Sequence, residues 1–390
     1  MPGIYHLKGA VKHFDWGGTT FIPSLLKADN NQQLPFAEYW MGTHPLGEAL
    51  VNTGGAELTP LSLIAPALPY LFKVLDVKGM LSIQVHPSKE AAENEFAREH
   101  AEGIPLDSPQ RNYKDANHKP ELVVALSDFW LLHGFKPEEE LVYTLLNVVK
   151  LRELLPVFNK TGYTGLYKHV MEMPQEEVNR ILQPLLENIA TIHVDSEADK
   201  TDEDFWVAKA VKAFTKDGNI DRGIFSIYFF NLVQLKKGEG LFQAAGVPHA
   251  YLEGQNVEIM SNSDNVLRGG LTTKHIDVKE LLKNVKCEAT HPQIISPEKI
   301  NEKEFIYKTP VPDFQLSFYD MEAGDVFPFV PNGEEILLLT DGVVEVDDDK
   351  IALKLEKGNP SAVVFPGQVV YLAAAAKSTV FRASGNINNR

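Results

Sequence analysis

The chain has 390 residues, and at about 100–200 residues per domain it is long enough for two or three domains. Its composition, with 44% hydrophobic and 23% charged residues, is that of an ordinary globular protein. The formal net charge of −16 argues against nucleic acid as a partner, because a phosphate backbone requires a basic surface. We expect no membrane partner and no secretory signal, because no apolar run approaches the ~20 residues that cross a bilayer. A single cysteine, Cys287, favours a reducing, cytoplasmic location.

Residues 1–135 predict short strands separated by turns. Residues 68–87 indicate two strands joined by a turn at Lys78 and Gly79, and residues 121–135 form another apolar, β-rich stretch.

The pattern becomes helical after Lys136. Residues 137–156 open with a proline and three glutamates, which is a typical helix start. Residues 174–193 place apolar side chains at helical spacing, although Pro184 should kink or break that helix. A third helix is predicted at 202–214. We therefore predict a helical insertion whose apolar stripes belong to the core.

Strand patterns return near residue 224. Residues 229–243 indicate a strand, a glycine-containing turn and a strand, and residues 274–284 predict a short helix. From about residue 305 the chain is strand after strand, and residues 334–348 contain two strands around an Asp-Gly turn, the usual sign of a hairpin. This last region predicts a separate β-sandwich or barrel.

Three segments carry residues suited to chemistry. In the first, Gln84 and His86 project from the same face of a predicted strand and offer half of a metal site. A pair of this kind is more often structural when nothing else supports it. In the second, residues 113–121, seven of nine residues are polar or ionisable, and Pro120 holds Lys119 extended. A charged surface loop explains that segment equally well.

The third segment, residues 248–274, begins with His249 in a β-like run. Asp264, Arg268 and Lys274 follow in a glycine-rich, turn-prone stretch. Two cations beside a possible ligand suggest an anion-binding loop, and loops on a rigid scaffold often carry function.

Together the three segments supply a glutamine oxygen, two histidine nitrogens and a glutamate oxygen. This set can form a metal site with an open position for substrate. Zn²⁺ is the first choice, and Mn²⁺, Fe²⁺ or Co²⁺ could also bind there.

Along essentially its whole length the chain resembles the type I mannose-6-phosphate isomerases, also called phosphomannose isomerases. The resemblance is carried by four blocks in the family's order, namely residues 36–49, 68–87, 113–121 and 248–277. It implies a mainly β protein with a helical insertion and two cupin-type jelly-roll barrels. The implied domains are a catalytic metal-binding barrel (1–135 and 223–300), a helical domain (136–222) and a C-terminal barrel without metal (301–390), which packs against the first.

The resemblance also assigns roles by position. The implied metal ligands are Gln84, His86, Glu121 and His249. The implied catalytic residues are Arg268, Lys119, His118 and Asp264. Ser82 and Lys274 would bind the phosphate, and Tyr251 and Glu258 would line the pocket wall.

The implied reaction is the interconversion of mannose 6-phosphate and fructose 6-phosphate by proton transfer between C1 and C2 through an enediol or enediolate. Arg268 stays protonated at any working pH, so it would stabilise negative charge and not act as the base. The base is left open among Lys119, His118, Asp264 and a metal-bound water.

Two other functions fit the same scaffold. One is a different enzyme, either another sugar isomerase or a metal dioxygenase, and the other is a non-catalytic sugar-binding protein. Arg268 and Lys274 favour a small phosphorylated sugar as the partner. We expect a monomer.

Overall fold

The computed structural model describes residues 3–55, 57–65, 68–189 and 199–385. The strands before the helical region are β1 (Ile4–Lys8), β2 (Ala10–Lys12), β3 (Glu38–Met41), β4 (Leu50–Val51), β5 (Thr59–Pro60), β6 (Tyr70–Val77), β7 (Ile83–Val85), β8 (Glu121–Ala125) and β9 (Phe129–Phe135). Those that follow it are β10 (Phe230–Leu235), β11 (Gly240–Gln243), β12 (His249–Ser261), β13 (Leu267–Gly270), β14 (Ile294–Ile295) and β15 (Glu298–Lys299).

The C-terminal strands are β16 (Glu304–Tyr307), β17 (Gln315–Met321), β18 (Val326–Phe329), β19 (Glu335–Asp341), β20 (Val344–Asp347), β21 (Ala352–Leu355), β22 (Ser361–Val364), β23 (Val370–Ala374) and β24 (Ser378–Ser384). The helices are α1 (Phe21–Leu26), α2 (Lys89–Ala101), α3 (Glu138–Asn147), α4 (Leu155–Glu172), α5 (Gln175–Ile189), α6 (Glu203–Phe214), α7 (Gly223–Phe229) and α8 (Val278–Asn284), with short 3₁₀-helices at Leu61–Leu63 and Val149–Leu154. None of the described helices is both long and apolar enough to cross a membrane.

The long strand β12 joins two groups of antiparallel strands. Its first residues pair with β7 and β9, and its second half pairs with β6 and β8. The change of partners occurs at Gly254, which has φ +124°, and a Cβ there would lie 2.5 Å from the Asp128 carbonyl oxygen. Only glycine therefore fits this bend.

Side-chain alternation along these strands separates two environments. On β6, Leu71, Lys73 and Leu75 line an internal cavity, whereas Phe72 and Val74 belong to a hydrophobic core on the opposite face. That core also contains residues of β17, β19, β22 and β24, so the C-terminal strands pack on the outside of the strands that enclose the cavity.

The predicted helical region is helical, but its boundaries differ from the prediction. The single helix predicted at 137–156 is wrong, because α3 ends at Asn147 and a 3₁₀ turn precedes α4. The sequence pattern did not predict the part of α4 beyond residue 156. Helix α4 contains Gly162, whose φ of +62° interrupts the helix. The helix predicted at 202–214 is confirmed as α6.

Pro184 was predicted to kink or break the helix at 174–193, and the helix does not break there, because α5 continues through Pro184. The helix buries Val178, Ile181, Leu182, Leu185 and Ile189 in the large core between the helices and the strands. This burial outweighs the roughly 3 kcal/mol cost of an internal proline. Residues 190–193 of the predicted helix lie outside the described residues.

The C-terminal strands form two sheets around a core of their own. The larger has the order β15-β16-β17-β24-β19-β22-β1-β4-β5, and the smaller is β18-β23-β20-β21. Strand β1, which the sequence grouped with the first domain, thus pairs with β22. The two strands predicted around the Asp341-Gly342 turn are confirmed as β19 and β20, but they do not pair as a hairpin, because β19 belongs to the larger sheet and β20 to the smaller. An Asp-Gly turn can connect strands of two different sheets as well as neighbouring strands of one sheet.

Candidate active site

A cavity of about 890 Å³ lies inside the strands that share β12. Nine of the twelve predicted site residues line it, namely Gln84, Lys119, Glu121, His249, Tyr251, Glu258, Asp264, Arg268 and Lys274. The other three, His86, Ser82 and His118, are not among the lining residues, although His86 contacts the lining residue Glu121.

Three predicted metal ligands converge in the wall of this cavity. Candidate ligand atoms of His86, Glu121 and His249 lie within 4.8 Å of one another, and all three residues are buried. Strand ends bring them together: Glu121 begins β8, His249 begins β12, and His86 directly follows β7. His86 Nε2 lies 3.4 Å from Glu121 Oε1, and His249 Nε2 lies 3.5 Å from Oε2.

The hydrogen bonds of both rings prepare them for a cation. His86 Nδ1 is 3.0 Å from the Asn265 carbonyl oxygen, and His249 Nδ1 is 3.0 Å from that of Val247. A carbonyl oxygen can only accept, so each Nδ1 carries the proton and each Nε2 directs a lone pair toward the Glu121 carboxylate. Burial lowers the pKa of His86 to about 4, which keeps the ring neutral as a ligand must be. Two lone pairs facing a carboxylate fit a bound divalent cation.

Gln84 lies in the same row of side chains. Its Cα pairs with His249 across β7 and β12 and with Arg268 across β7 and β13. Directly paired residues on antiparallel strands face the same side of the sheet, so the structure brings Gln84 between a predicted metal ligand and a predicted catalytic cation.

Lys119 is buried against the metal group. Its Nζ lies 2.8 Å from Glu121 Oε1, and the residue is 8% exposed. Although burial opposes it, the Lys119 ammonium holds the pKa of Glu121 well below its usual range. Glu121 is therefore an anion at neutral pH.

Arg268 and Lys274 bring positive charge to the cavity without a carboxylate partner among the described residues. Arg268 Nε is buried and has no hydrogen-bond acceptor in the described part of the chain. Burial lowers the pKa of Arg268, and burial together with Arg268 lowers that of Lys274. Two uncompensated cations at one side of a cavity fit an anionic ligand.

A buried ion pair that the sequence analysis missed lies on the cavity wall. Lys73 on β6 pairs in register with Glu258 on β12, and Lys73 Nζ lies 3.9 Å from Glu38. The Tyr251 hydroxyl donates to Glu258 Oε2 at 2.7 Å. A lysine flanked by apolar residues within the strand was the available signal, because such a lysine requires a buried partner.

His44 was also missed, and it contacts Asp264. The Leu46 N–H donates to His44 Nδ1 at 3.2 Å, so Nε2 carries the proton and faces Asp264 Oδ2 at 3.3 Å. Although burial opposes it, His44 holds the pKa of Asp264 below its usual value. Asp264 is therefore ionised, and both residues line the cavity.

Asp115 connects the loop that carries Lys119 to the loop that carries Asp264. Its carboxylate accepts hydrogen bonds from the Ser263 hydroxyl at 2.9 Å and from the Asp264 N–H at 2.8 Å. Asn265 bonds the Asn117 carbonyl oxygen at 2.8 Å and accepts from His86 Nδ1 through its own carbonyl oxygen. The loop that carries Lys119 is therefore coupled to a metal-ligand candidate through one asparagine.

Comparison with known proteins agrees with this geometry. Residues 4–138 match the family described as phosphomannose isomerase type I, catalytic domain. The chain is 34% identical to the mannose-6-phosphate isomerase of Salmonella typhimurium, over 89% of this chain and 92% of that protein. It is 33% identical to the mannose-6-phosphate isomerase of Homo sapiens, over 88% of each.

A solved structure is similar along the whole chain. The crystal structure of Salmonella typhimurium mannose 6-phosphate isomerase bound to its substrate, fructose 6-phosphate, and to zinc has a TM-score of 0.86 and 32% identity, covering 98% of this chain and 100% of that one. Because relatives more than 30% identical match over nearly their full length, the chain belongs to the type I mannose-6-phosphate isomerase family.

Proposed function

We propose that the protein interconverts mannose 6-phosphate and fructose 6-phosphate by moving a proton between C1 and C2 through an enediol or enediolate. The observation that carries the proposal is the meeting of two kinds of site in one cavity. The convergent His86, Glu121 and His249 suit a metal, and the unpaired Arg268 and Lys274 suit a phosphorylated ligand. A solved relative holds both zinc and fructose 6-phosphate.

The proposed architecture is that of a bicupin. The strands that share β12 would form the catalytic jelly-roll barrel, residues 136–222 the helical domain, and the two C-terminal sheets a second barrel without metal. The antiparallel pairing and the separate C-terminal core support this division.

Gln84, His86, Glu121 and His249 are proposed to hold one zinc ion per chain. The donor set also suits Mn²⁺, Fe²⁺ or Co²⁺. When bound, the ion would polarise the sugar carbonyl and hold the neighbouring hydroxyl.

Arg268 is proposed to stabilise the negative charge that develops on the sugar oxygens. A fixed guanidinium in a partly dry cavity is effective in this role, and removal of one such donor typically costs about 10²–10³-fold in kcat. Arg268→Lys keeps the charge but loses the planar fork, so kcat should fall by less than in Arg268→Ala. If both variants are as active as the wild type, Arg268 does not stabilise this charge.

The proton-transferring base is proposed to be Lys119, with His118, Asp264 and a metal-bound water as alternatives. Lys119 is buried beside Glu121, and Asp264 lines the same cavity. A Lys119→Met variant with near-normal kcat would exclude Lys119, and Lys160→Met, on an exposed helix position, is the matched control.

Lys274 and Ser82 are proposed to bind the phosphate, with Tyr251 and Glu258 in the wall of the pocket. Lys274 reaches the cavity directly. Ser82 precedes Gln84 by two residues. It is not among the residues that line the cavity, so it would contact the phosphate from beyond them.

One experiment tests the function. Isomerisation of mannose 6-phosphate and of free mannose is measured before and after chelation, and again with Zn²⁺, Mn²⁺ or Co²⁺ added back. We expect metal-dependent turnover of the phosphorylated sugar. Turnover of free mannose at an equal rate would favour an isomerase for unphosphorylated sugars, and absence of turnover with every metal would favour a non-catalytic sugar-binding protein. The monomeric state and the cytoplasmic location stay predictions, which light scattering and cell fractionation would test.

A further inference from the structure

A residue of the C-terminal region contacts a predicted catalytic residue. Asp313 Oδ1 lies 2.9 Å from His118 Nε2, although the two residues are 195 positions apart. Their side chains are only 16% and 23% exposed. Because this contact holds one ring nitrogen of His118, the direction of the ring depends on Asp313.

Asp313 is firmly held. It lies between β16 and β17 and directly precedes Phe314, which is fully buried. Phe314 belongs to the core that joins the C-terminal strands to the outer face of β6, β8 and β12. The position of the Asp313 carboxylate is therefore set by the packing of the two parts of the molecule on each other.

The chemistry of the pair assigns the proton on His118. Although burial opposes it, the hydrogen bond with His118 holds the pKa of Asp313 below its usual value. An ionised carboxylate can only accept, so His118 Nε2 carries a hydrogen and donates it to Asp313.

His118 immediately precedes the segment that carries Lys119 and Glu121, two predicted site residues that line the cavity. Lys119 follows it and contacts Glu121, a predicted ligand at the start of β8. Between them, the Pro120 carbonyl oxygen accepts the Ser261 N–H at 3.2 Å. A shift of His118 would therefore be transmitted along a short, hydrogen-bonded segment to both side chains.

We propose that Asp313 is a positioning residue of the active site, which fixes the orientation and tautomer of His118 and, through it, the segment carrying Lys119 and Glu121. The proposal rests on the proposed isomerase function and adds to it a contribution from the C-terminal region, for which the sequence predicted only packing.

The test is a double-mutant cycle with kcat and KM for mannose 6-phosphate. Asp313→Ala should lower kcat about 10- to 100-fold, as loss of an outer hydrogen-bond partner does in related sites, while KM changes little. Asp313→Asn keeps an acceptor oxygen and should recover part of kcat. Asp313→Ala combined with His118→Ala should be no slower than His118→Ala alone, because the two residues act as one unit. Asp320→Ala, an exposed aspartate on the adjoining β17, is the control.

A second readout does not depend on activity. In ¹⁵N-histidine-labelled protein, the His118 ring signal is assigned by its absence in His118→Asn. It should report a hydrogen on Nε2, and Asp313→Asn should shift this signal. The proposal is overturned if Asp313→Ala matches Asp320→Ala in kcat, if the two alanine effects add, or if the His118 signal is unchanged in Asp313→Asn. A wild-type protein without isomerase activity would reject the proposed function instead, and the ring signal would still decide the pairing.

Discussion

Lys73 Nζ lies 2.9 Å from Glu258 Oε1 in the cavity wall, with the two side chains only 8% and 3% exposed. Burial and the neighbouring Glu121 raise the pKa of Glu258, whereas Lys73 lowers it. Although burial acts in the opposite direction, Glu258 and Glu38 raise the pKa of Lys73. Each charge is thus tolerated inside the protein because the other is present.

This relationship predicts a large loss of stability when one partner is removed. Lys73→Met should lower the free energy of unfolding by about 3–5 kcal/mol, because it leaves a buried carboxylate unpaired. Urea unfolding measures the loss. Lys73→Met combined with Glu258→Gln should be more stable than Lys73→Met alone, since the uncompensated charge is gone. Lys78→Met, an exposed lysine just beyond the same strand, should stay close to wild type, and a similar small effect at Lys73 would contradict the prediction.

Loss of one convergent imidazole should abolish tight metal binding. His249→Ala should weaken zinc binding more than about 10–100-fold. That range is the loss seen when a residue that only hydrogen-bonds a metal ligand is replaced. Metal analysis after dialysis and competition with a chelator give the affinity, and the rise in thermal midpoint on adding Zn²⁺ should disappear in the variant. His291→Ala removes an exposed histidine and should bind as the wild type does. Unchanged zinc content in His249→Ala would mean that the metal group is wrongly assigned.

The phosphate assignment predicts a change in KM. Lys274→Ala should raise KM for mannose 6-phosphate about 10- to 100-fold with kcat largely kept, because a hydrogen bond to a charged group contributes about 1.5–3 kcal/mol. Steady-state kinetics measure both constants, and Lys279→Ala, on the exposed side of α8, should leave them unchanged. If KM stays at the wild-type value in Lys274→Ala, the phosphate is bound elsewhere.

Glu253 makes the stability depend on pH. It accepts hydrogen bonds from Lys200 and from Lys209 of α6. Although burial opposes it, these bonds lower the pKa of Glu253 below its usual 4.5. A carboxyl whose folded-state pKa is lowered stabilises the fold above the unfolded value and loses that contribution as the pH falls through the folded one. Glu253→Gln should therefore lower the thermal midpoint at pH 7, and the difference from wild type should shrink below about pH 4.5. Glu345→Gln, at an exposed position of β20, is the control. A difference in thermal midpoint that stays constant from pH 7 to pH 3, or the same pH profile in the control, would contradict the prediction.

The sequence predicted several of the strands that surround the candidate site. Strand alternation placed Gln84 on one face, and β6, β7, β10, β11 and α8 lie where the patterns predicted them. Nine predicted residues line one cavity because the family blocks that contain them form adjacent strands.

What the sequence could not predict depends on distant pairing. Lys73 contacts Glu258 across 185 residues, and Asp313 contacts His118 across 195. In neither pair does one residue affect the sequence pattern around the other. The Asp-Gly turn after β19 has the same local chemistry whether the next strand returns to its sheet or crosses to another. Helix α4 was missed because its glycines lower helix propensity, and tertiary packing overrides that preference.

The pairing of β1 with β22 also constrains the order in which the molecule can fold. The Leu7 carbonyl oxygen accepts a hydrogen bond from the Ser361 hydroxyl, 354 residues away. On the ribosome, Ile4–Lys8 is therefore made long before its partner strand β22. The larger C-terminal sheet can be completed only after β22 has been made, and a fragment starting at residue 301 would leave the β22 edge open to other chains.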